Sequence, residues 1–84
     1  MLKRYASPLM KSTDNKYLSV QIVEIQDGIV VRSYPFEAEL ASTTWLEGMI
    51  EINKENGETR AYLLSPFDCI NKQPVDGTQR TLLK

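Results

Sequence analysis

Residues 17–65 read YLSVQIVEIQDGIVVRSYPFEAELASTTWLEGMIEINKENGETRAYLLS, and this stretch decides the fold. Its first ten residues alternate between polar and apolar side chains, the apolar set being Leu18, Val20, Ile22, Val23 and Ile25. A period of two is typical of a β-strand, whose successive side chains point to opposite faces. The adjacent pair Ile22 and Val23 breaks the period, which predicts a bulge or burial on both faces there.

The dipeptide Asp27-Gly28 predicts the first hairpin. It separates two β-rich runs, and a two-residue type I′ turn needs positive φ at both central positions, which Asp and Gly tolerate. The strand pairs that this turn predicts are Ile25 with Val30, Val23 with Arg32, and Gln21 with Tyr34. Apolar side chains then occur on both faces of the hairpin, which favours a curled or covered sheet over a flat one with a wet side.

A second hairpin is indicated by Asn56-Gly57. We predict a four-residue loop at residues 54–57, because it keeps the apolar residues on one face and pairs opposite charges. The predicted pairs are Glu51 with Arg60, Ile50 with Ala61, and Met49 with Tyr62. A two-residue turn has the same parity, but it sets Glu55 against Glu58.

The segment between the hairpins allows two interpretations. Pro35 cannot donate a ladder hydrogen bond, so the strand should bend there or lie at an edge. Residues 36–50 then alternate as a strand would, but several apolar residues lie four apart, as on a helix face. A short helix within 36–50, giving an α+β protein, is therefore the alternative, although Thr43, Thr44 and Gly48 are poor residues for a helix interior.

These signals together predict an all-β protein. We expect a small curled antiparallel meander of four to five strands, a partly open barrel or roll with an SH3-like or OB-like outline. Residues 1–16, which are charged and interrupted by Pro8, are expected to form a flexible N-terminal arm. Residues 17–84 are expected to form a single domain whose tail is irregular from Pro66 onward, with a further edge strand at residues 78–83.

Composition excludes several classes of partner. The 84 residues carry ten basic and eleven acidic side chains, interspersed, for a formal charge of −1. This balance lacks the basic stripe typical of duplex-binding proteins, and it offers no polybasic membrane patch. No apolar run approaches the roughly 18 residues of a membrane span, and no signal peptide is recognisable. With Cys69 as the single cysteine, these features predict a cytoplasmic protein.

The sequence offers little catalytic chemistry. Histidine, the commonest general base near neutral pH, is absent. Cys69 follows Asp68 and has no cationic neighbour to activate it, so we expect an inert thiol. The carboxylate pairs Glu37/Glu39 and Glu47/Glu51 are interpreted as solvated strand faces, and no calcium-loop or phosphate-loop pattern occurs. We therefore predict no enzyme, no metal and no cofactor, with a carboxylate-based enzyme as the weakest alternative.

Aromatic and basic residues provide the one binding signal. Arg32 and Tyr34, like Arg60 and Tyr62, lie two apart and so share a strand face, and these types are enriched at binding hot spots. Our hypothesis is a non-catalytic protein-interaction or self-association module, with a homodimer as one form of it. It would act through an exposed strand edge or through a face formed by Trp45, Met49, Arg60 and Tyr62. The alternative is a single-stranded nucleic-acid platform, disfavoured by charge, comprising Arg32, Tyr34, Trp45, Arg60 and Tyr62. A third interpretation makes these aromatics core residues.

Overall fold

A computed structural model describes residues 1–37 and 42–84, and their secondary structure is entirely β. The strands are β1 (Leu2–Lys11), β2 (Tyr17–Gln26), β3 (Ile29–Pro35), β4 (Thr43–Trp45), β5 (Met49–Glu55), β6 (Glu58–Asp68) and β7 (Gln73–Leu82). The predicted all-β class is confirmed. Of the range considered for a helix, residues 38–41 lie outside the described residues, and the remainder holds β4 and the start of β5. Nowhere in the described ranges is there a helix that could span a membrane.

One curled sheet contains all seven strands. Its order is β3-β2-β1-β5-β6-β7, and β4 also pairs with β1. The pairings within β3-β2-β1 and within β5-β6-β7 are antiparallel, whereas β1 runs parallel to both β4 and β5. β3 contacts β6 although the two strands do not pair and are separated by three strands in the sheet. The sheet therefore curls until β3 and β6 meet. This curling agrees with the prediction made from apolar residues on both faces of the first hairpin.

The N-terminal segment is a correction to the sequence analysis. The mobile arm expected over residues 1–16 is wrong for residues 2–11, because these form β1 at the centre of the sheet. Ala6, Leu9 and Met10 are buried. Pro8 is accommodated because the ladder with β2 passes over it, while the Ser7 hydroxyl donates to the Leu9 carbonyl at 2.7 Å. The N-terminal segment, in which a few apolar residues stand among charged ones, therefore forms a central strand of the sheet.

The first hairpin has the predicted turn but a shifted register. Asp27 and Gly28 have φ of 54° and 79°, the positive values that the type I′ turn requires. Ile25 pairs with Val30 as predicted, but the register then shifts by one residue between Glu24 and Ile25. The predicted pairs Val23–Arg32 and Gln21–Tyr34 are consequently wrong; the observed pairs are Glu24–Arg32, Val23–Ser33, Ile22–Tyr34 and Gln21–Pro35. The bulge brings Glu24 opposite a cation, and Ile22 and Val23 are both buried, as expected of burial on both faces.

The second hairpin turns in two residues, so the predicted four-residue loop is wrong. Asn56 and Gly57 both have positive φ, and Glu55 pairs with Glu58. The predicted pairs of Glu51, Ile50 and Met49 are each displaced by two residues; the observed partners are Tyr62, Leu63 and Leu64. The parity, and hence the face of each side chain, is unchanged. The two glutamates avoid repulsion because each has a donor of its own, Tyr62 for Glu55 and Arg60 for Glu58.

The C-terminal segment is more regular than predicted. β6 continues through Pro66 to Asp68, and β7 occupies the free edge beside it, so the expected irregular tail is wrong over most of its length. The predicted edge strand at residues 78–83 falls largely within β7. The core lies between the two halves of the curled sheet, its buried members being Met10, Val23, Ile25, Ile50, Ile52, Ala61 and Leu83.

Candidate interaction surface

The residues predicted to form one binding face are dispersed over the sheet. Met49 is only 2% exposed, so its predicted role in an exposed face is wrong. It pairs with Leu9 on β1 and with Leu64 on β6, so it lies on a strand that has neighbours on both sides. The sequence pattern placed Met49 on the correct face of β5, but it gave no sign of the parallel neighbour that buries that face.

Arg32 and Tyr34 bind an internal carboxylate rather than forming a free platform. Their partner, Glu24, is 1% exposed. Its Oε1 accepts from Arg32 Nε at 2.5 Å, and its Oε2 accepts from Arg4 Nε at 2.8 Å and from the Tyr34 hydroxyl at 2.7 Å. The bonds from Arg32, Tyr34 and Arg4, in that order, lower the pKa of Glu24 to about 2, and the same carboxylate raises the pKa of Tyr34. This network is structural, because the Nε groups of both arginines and the Tyr34 hydroxyl all donate to the buried Glu24 carboxylate.

Arg60 and Tyr62 are likewise engaged within the protein. Arg60 Nη1 donates to the Gly28 carbonyl at 3.1 Å, which ties the second hairpin to the turn of the first. The Tyr62 hydroxyl donates to both oxygens of Glu55, at 3.0 and 2.8 Å, and this hydrogen bonding raises the pKa of Tyr62. One side of the Tyr62 ring is covered by the Arg80 guanidinium, 3.6 Å from the ring centroid. Two of the aromatic surfaces proposed for base stacking, Tyr34 and Tyr62, are thus held by internal partners.

Among the aromatic residues predicted for the site, Trp45 is the one that the structure leaves exposed, and Arg32 is an exposed basic one. Its side chain lies on the short strand β4, in register with Ala6 of β1, and the residue is 48% exposed. The indole Nε1 donates to Glu47 Oε1 at 3.1 Å, which fixes the orientation of the ring. Trp45 is therefore an oriented aromatic side chain with much of its surface uncovered.

A groove of about 470 Å³ begins at the glutamate that holds Trp45. Three separate segments form it: β1, the link between β4 and β5, and the end of β6 with the residues that follow. The lining residues are Pro8, Glu47, Gly48, Ser65, Pro66, Phe67, Asp68, Cys69 and Ile70. Ile70 is 90% exposed, so the groove has a bare aliphatic side chain at one side. We refer to Trp45 and these nine residues as the Trp45 groove.

Two local features shape the Trp45 groove. Gly48 has φ of +124°, and a Cβ at this position would lie 2.4 Å from the Leu64 carbonyl oxygen, so only glycine lets the β4–β5 link approach β6. The Asp68 carboxylate accepts from the backbone N–H groups of Ile70 and Asn71, at 3.1 and 3.0 Å, and holds the turn that presents Ile70. The sequence carried both signals, a lone glycine and an aspartate beginning a turn, but not their proximity.

The Trp45 groove has acidic side chains and a protonated thiol. Within the part of the chain that the structure describes, its charged lining residues are Glu47 and Asp68, and no lysine or arginine lines it. Burial first, and then the nearby charges of Asp68 and Glu47, raise the pKa of the Cys69 thiol, which donates to the Gly48 carbonyl at 3.4 Å. A thiol held in this form is a poor nucleophile.

The carboxylate pairs considered for catalysis have separate partners. Glu47 accepts from Trp45, whereas Glu51 accepts from Arg80 Nε at 3.1 Å. Glu37 is exposed, and Glu39 lies outside the described residues. Among the residues that the structure describes, no group of three or more Cys, Asp or Glu side chains could hold a metal ion.

Comparison with known proteins finds no matching family, no similar characterised protein and no similar solved structure. The most distinctive feature of the molecule is the Trp45 groove, an open aromatic and aliphatic surface on a small all-β fold.

Proposed function

We propose that this chain is a non-catalytic interaction module that binds a protein partner, or a second copy of itself, through the Trp45 groove. The observation that carries the proposal is a half-exposed, oriented tryptophan beside an apolar groove. Tryptophan is among the residue types most enriched at interface hot spots, where it anchors into the partner. A half-exposed tryptophan leaves apolar surface in water that a binding partner could cover.

Burial of the open part of Trp45 supplies a useful share of a binding energy. An aromatic side chain buries about 150–250 Å², and roughly half of that area is still open on Trp45. At about 25 cal/mol per Å², covering it stabilises a complex by about 2–3 kcal/mol. Ile70 adds further apolar surface at the same place. These contributions support a transient or moderate interface rather than an obligate one.

The non-catalytic and cytoplasmic parts of the proposal rest on residue chemistry. Histidine is absent, Cys69 is held as a thiol, and Glu24 is saturated by its partners. A single cysteine suits a reducing compartment such as the cytoplasm. Nucleic acid is a weaker candidate partner, since the net charge is −1 and Arg32 and Arg60 are paired with acids.

The test compares the intact chain with the Trp45→Ala variant by sedimentation equilibrium and by affinity retention of partner proteins. Val31→Ala is the matched control, because Val31 is also about half exposed but lies on β3, away from the groove. We expect the wild type and Val31→Ala either to self-associate or to retain a partner protein, which should then bind directly when purified. Trp45→Ala should lose whichever of these two properties the wild type shows. Equal behaviour of all three proteins would refute the proposal.

A further inference from the structure

We infer that the occupant of the Trp45 groove is an extended apolar peptide segment that carries lysine or arginine. This inference rests on the proposed function and specifies the chemistry of the partner. It draws on the charge of the groove, on the kind of backbone that forms its walls, and on the exposed side chains in and beside it.

The charge of the Trp45 groove calls for a cation. Within residues 1–37 and 42–84, neither Glu47 nor Asp68 forms an ion pair, whereas Glu24, Glu51 and Glu58 each pair with an arginine. Among the described residues, the Glu47 carboxylate accepts only from Trp45, through Oε1, which leaves its second oxygen available to a partner. Burial raises the pKa of the Cys69 thiol most, and the charges of Asp68 and Glu47 raise it further, so both acids act on the lining of the groove. A basic side chain of a partner could bind the second oxygen of Glu47 and neutralise the charge of Asp68, whose oxygens already accept from Ile70 and Asn71.

The walls of the Trp45 groove favour side-chain docking over addition of a strand. Pro8 and Pro66 both line it, and a proline has no N–H with which to pair an incoming strand. The existing ladders already pass over both prolines. A ligand held mainly by side chains is free to keep its own backbone solvated, as an extended polyproline-type segment does when it lies in an aromatic-lined groove.

The apolar contacts come from the lining of the groove and from its neighbour Trp45. Phe67, Ile70 and the two prolines line the groove, and the exposed Trp45 is joined to it through the hydrogen bond to Glu47. An apolar residue of the ligand can sit over Phe67 while a basic residue a short distance along the segment reaches Glu47 or Asp68. The groove therefore selects a mixed basic and apolar sequence rather than a purely charged one.

The experiment titrates the intact protein with three peptides of equal length and equal proline and leucine content. One carries two arginines, one carries two glutamines in their place, and one carries two glutamates. Trp45 is the only tryptophan, so its emission reports binding directly. We expect the arginine peptide to bind about tenfold more tightly than the glutamine peptide, with binding weakened by salt. The glutamate peptide should bind most weakly.

Two variants locate the effect within the groove. Glu47→Gln removes the charge and keeps an oxygen for Trp45 Nε1, so it should lower the affinity for the arginine peptide about fivefold with little change for the glutamine peptide. Ile70→Ser, at an exposed position, should weaken both peptides alike. Glu58→Gln, which removes an exposed carboxylate at the opposite end of β6 from the groove, is the control and should change neither affinity, as measured by calorimetry.

The outcomes separate this inference from the proposed function. If all three peptides bind equally and Ile70→Ser weakens each of them, the groove is a docking site but the basic partner is wrong. If no peptide changes the Trp45 emission, or Glu47→Gln and Glu58→Gln behave alike, this inference is overturned. The proposed function is then decided by the sedimentation and retention comparison of the wild type with Trp45→Ala.

Discussion

At the scale of single residues, Glu24 illustrates how a buried charge is held. A carboxylate moved out of water loses several kcal/mol of solvation unless donors surround it. Here two guanidinium groups and one hydroxyl bind its two oxygens, and they come from β1 and β3 on either side. The network therefore links three adjacent strands through one side chain.

We predict that stability falls in acid because of Glu24. Its pKa is about 2 in the folded protein against an ordinary value of 4.5, so its contribution is fully present above about pH 4.5 and is lost as the pH falls toward 2. The loss should amount to about 2–3 kcal/mol. Urea unfolding between pH 2 and 6 measures this loss. Glu24→Gln should have a lower free energy of unfolding at neutral pH, and that free energy should change less with pH than in the wild type. Glu37→Gln, an exposed control, should keep the wild-type profile; a Glu24→Gln profile as steep as the wild type would contradict the assignment.

Gly48 provides the second prediction at this scale. Gly48→Ala should lower the free energy of unfolding by about 2–4 kcal/mol, because the new Cβ meets the Leu64 carbonyl and the backbone has positive φ. Gly77→Ala is the control: its φ of +85° is also strained, but no atom lies within 4 Å of its Cβ position. Chemical denaturation should show a clearly smaller loss for Gly77→Ala. Equal losses would mean that backbone strain alone, and not the approach to β6, requires glycine at position 48.

The sequence predicted the residue types of the site better than their partners. Trp45 was identified because tryptophan is enriched at binding hot spots and because the strand pattern placed it on the predicted face of Arg60 and Tyr62. Glu24 was not, because in an alternating strand it has the pattern of an ordinary solvent-facing residue. The bulge in the pairing of β2 with β3 sets Glu24 opposite Arg32. The periodicity of one strand carries no information about such a bulge.

At the scale of elements, β1 determines how the sheet is assembled. It pairs antiparallel with β2 on one side and parallel with β4 and β5 on the other, so it joins the two antiparallel halves. Parallel partners cannot be read from a hairpin signal, because they are distant in sequence. This is why the turns at Asp27-Gly28 and Asn56-Gly57 were predictable and the central strand was not.

A pair of leucines on β1 tests its central position. Leu9→Ala removes a buried side chain that faces Met49 and should lower the free energy of unfolding by about 2–4 kcal/mol. Leu2→Ala, on the same strand but largely exposed, should cost under about 1 kcal/mol. Thermal and urea unfolding measure both. If the two variants were equally stable, residues 2–11 would be an arm rather than a core strand.

At the scale of the whole molecule, the Trp45 groove exists because the two halves of the sheet meet. Pro8 comes from the first half, Phe67 and Ile70 come from the second, and the β4–β5 link lies between them. No local motif of the sequence describes such a surface, since its segments are about 60 residues apart at the extremes. The curled all-β architecture was predictable from hairpins and patterning, but the groove required the parallel pairing at β1.

The most direct measurement of this account is the accessibility of Trp45 to acrylamide in the purified protein, followed over a dilution series beside sedimentation equilibrium. The account predicts efficient quenching in the monomer, because about half of the residue is open to solvent. Where a dimer forms through the Trp45 groove, quenching should be weak at high concentration and should increase on dilution. A monomer whose Trp45 stays shielded at every concentration would contradict the account, because the tryptophan would then belong to the core.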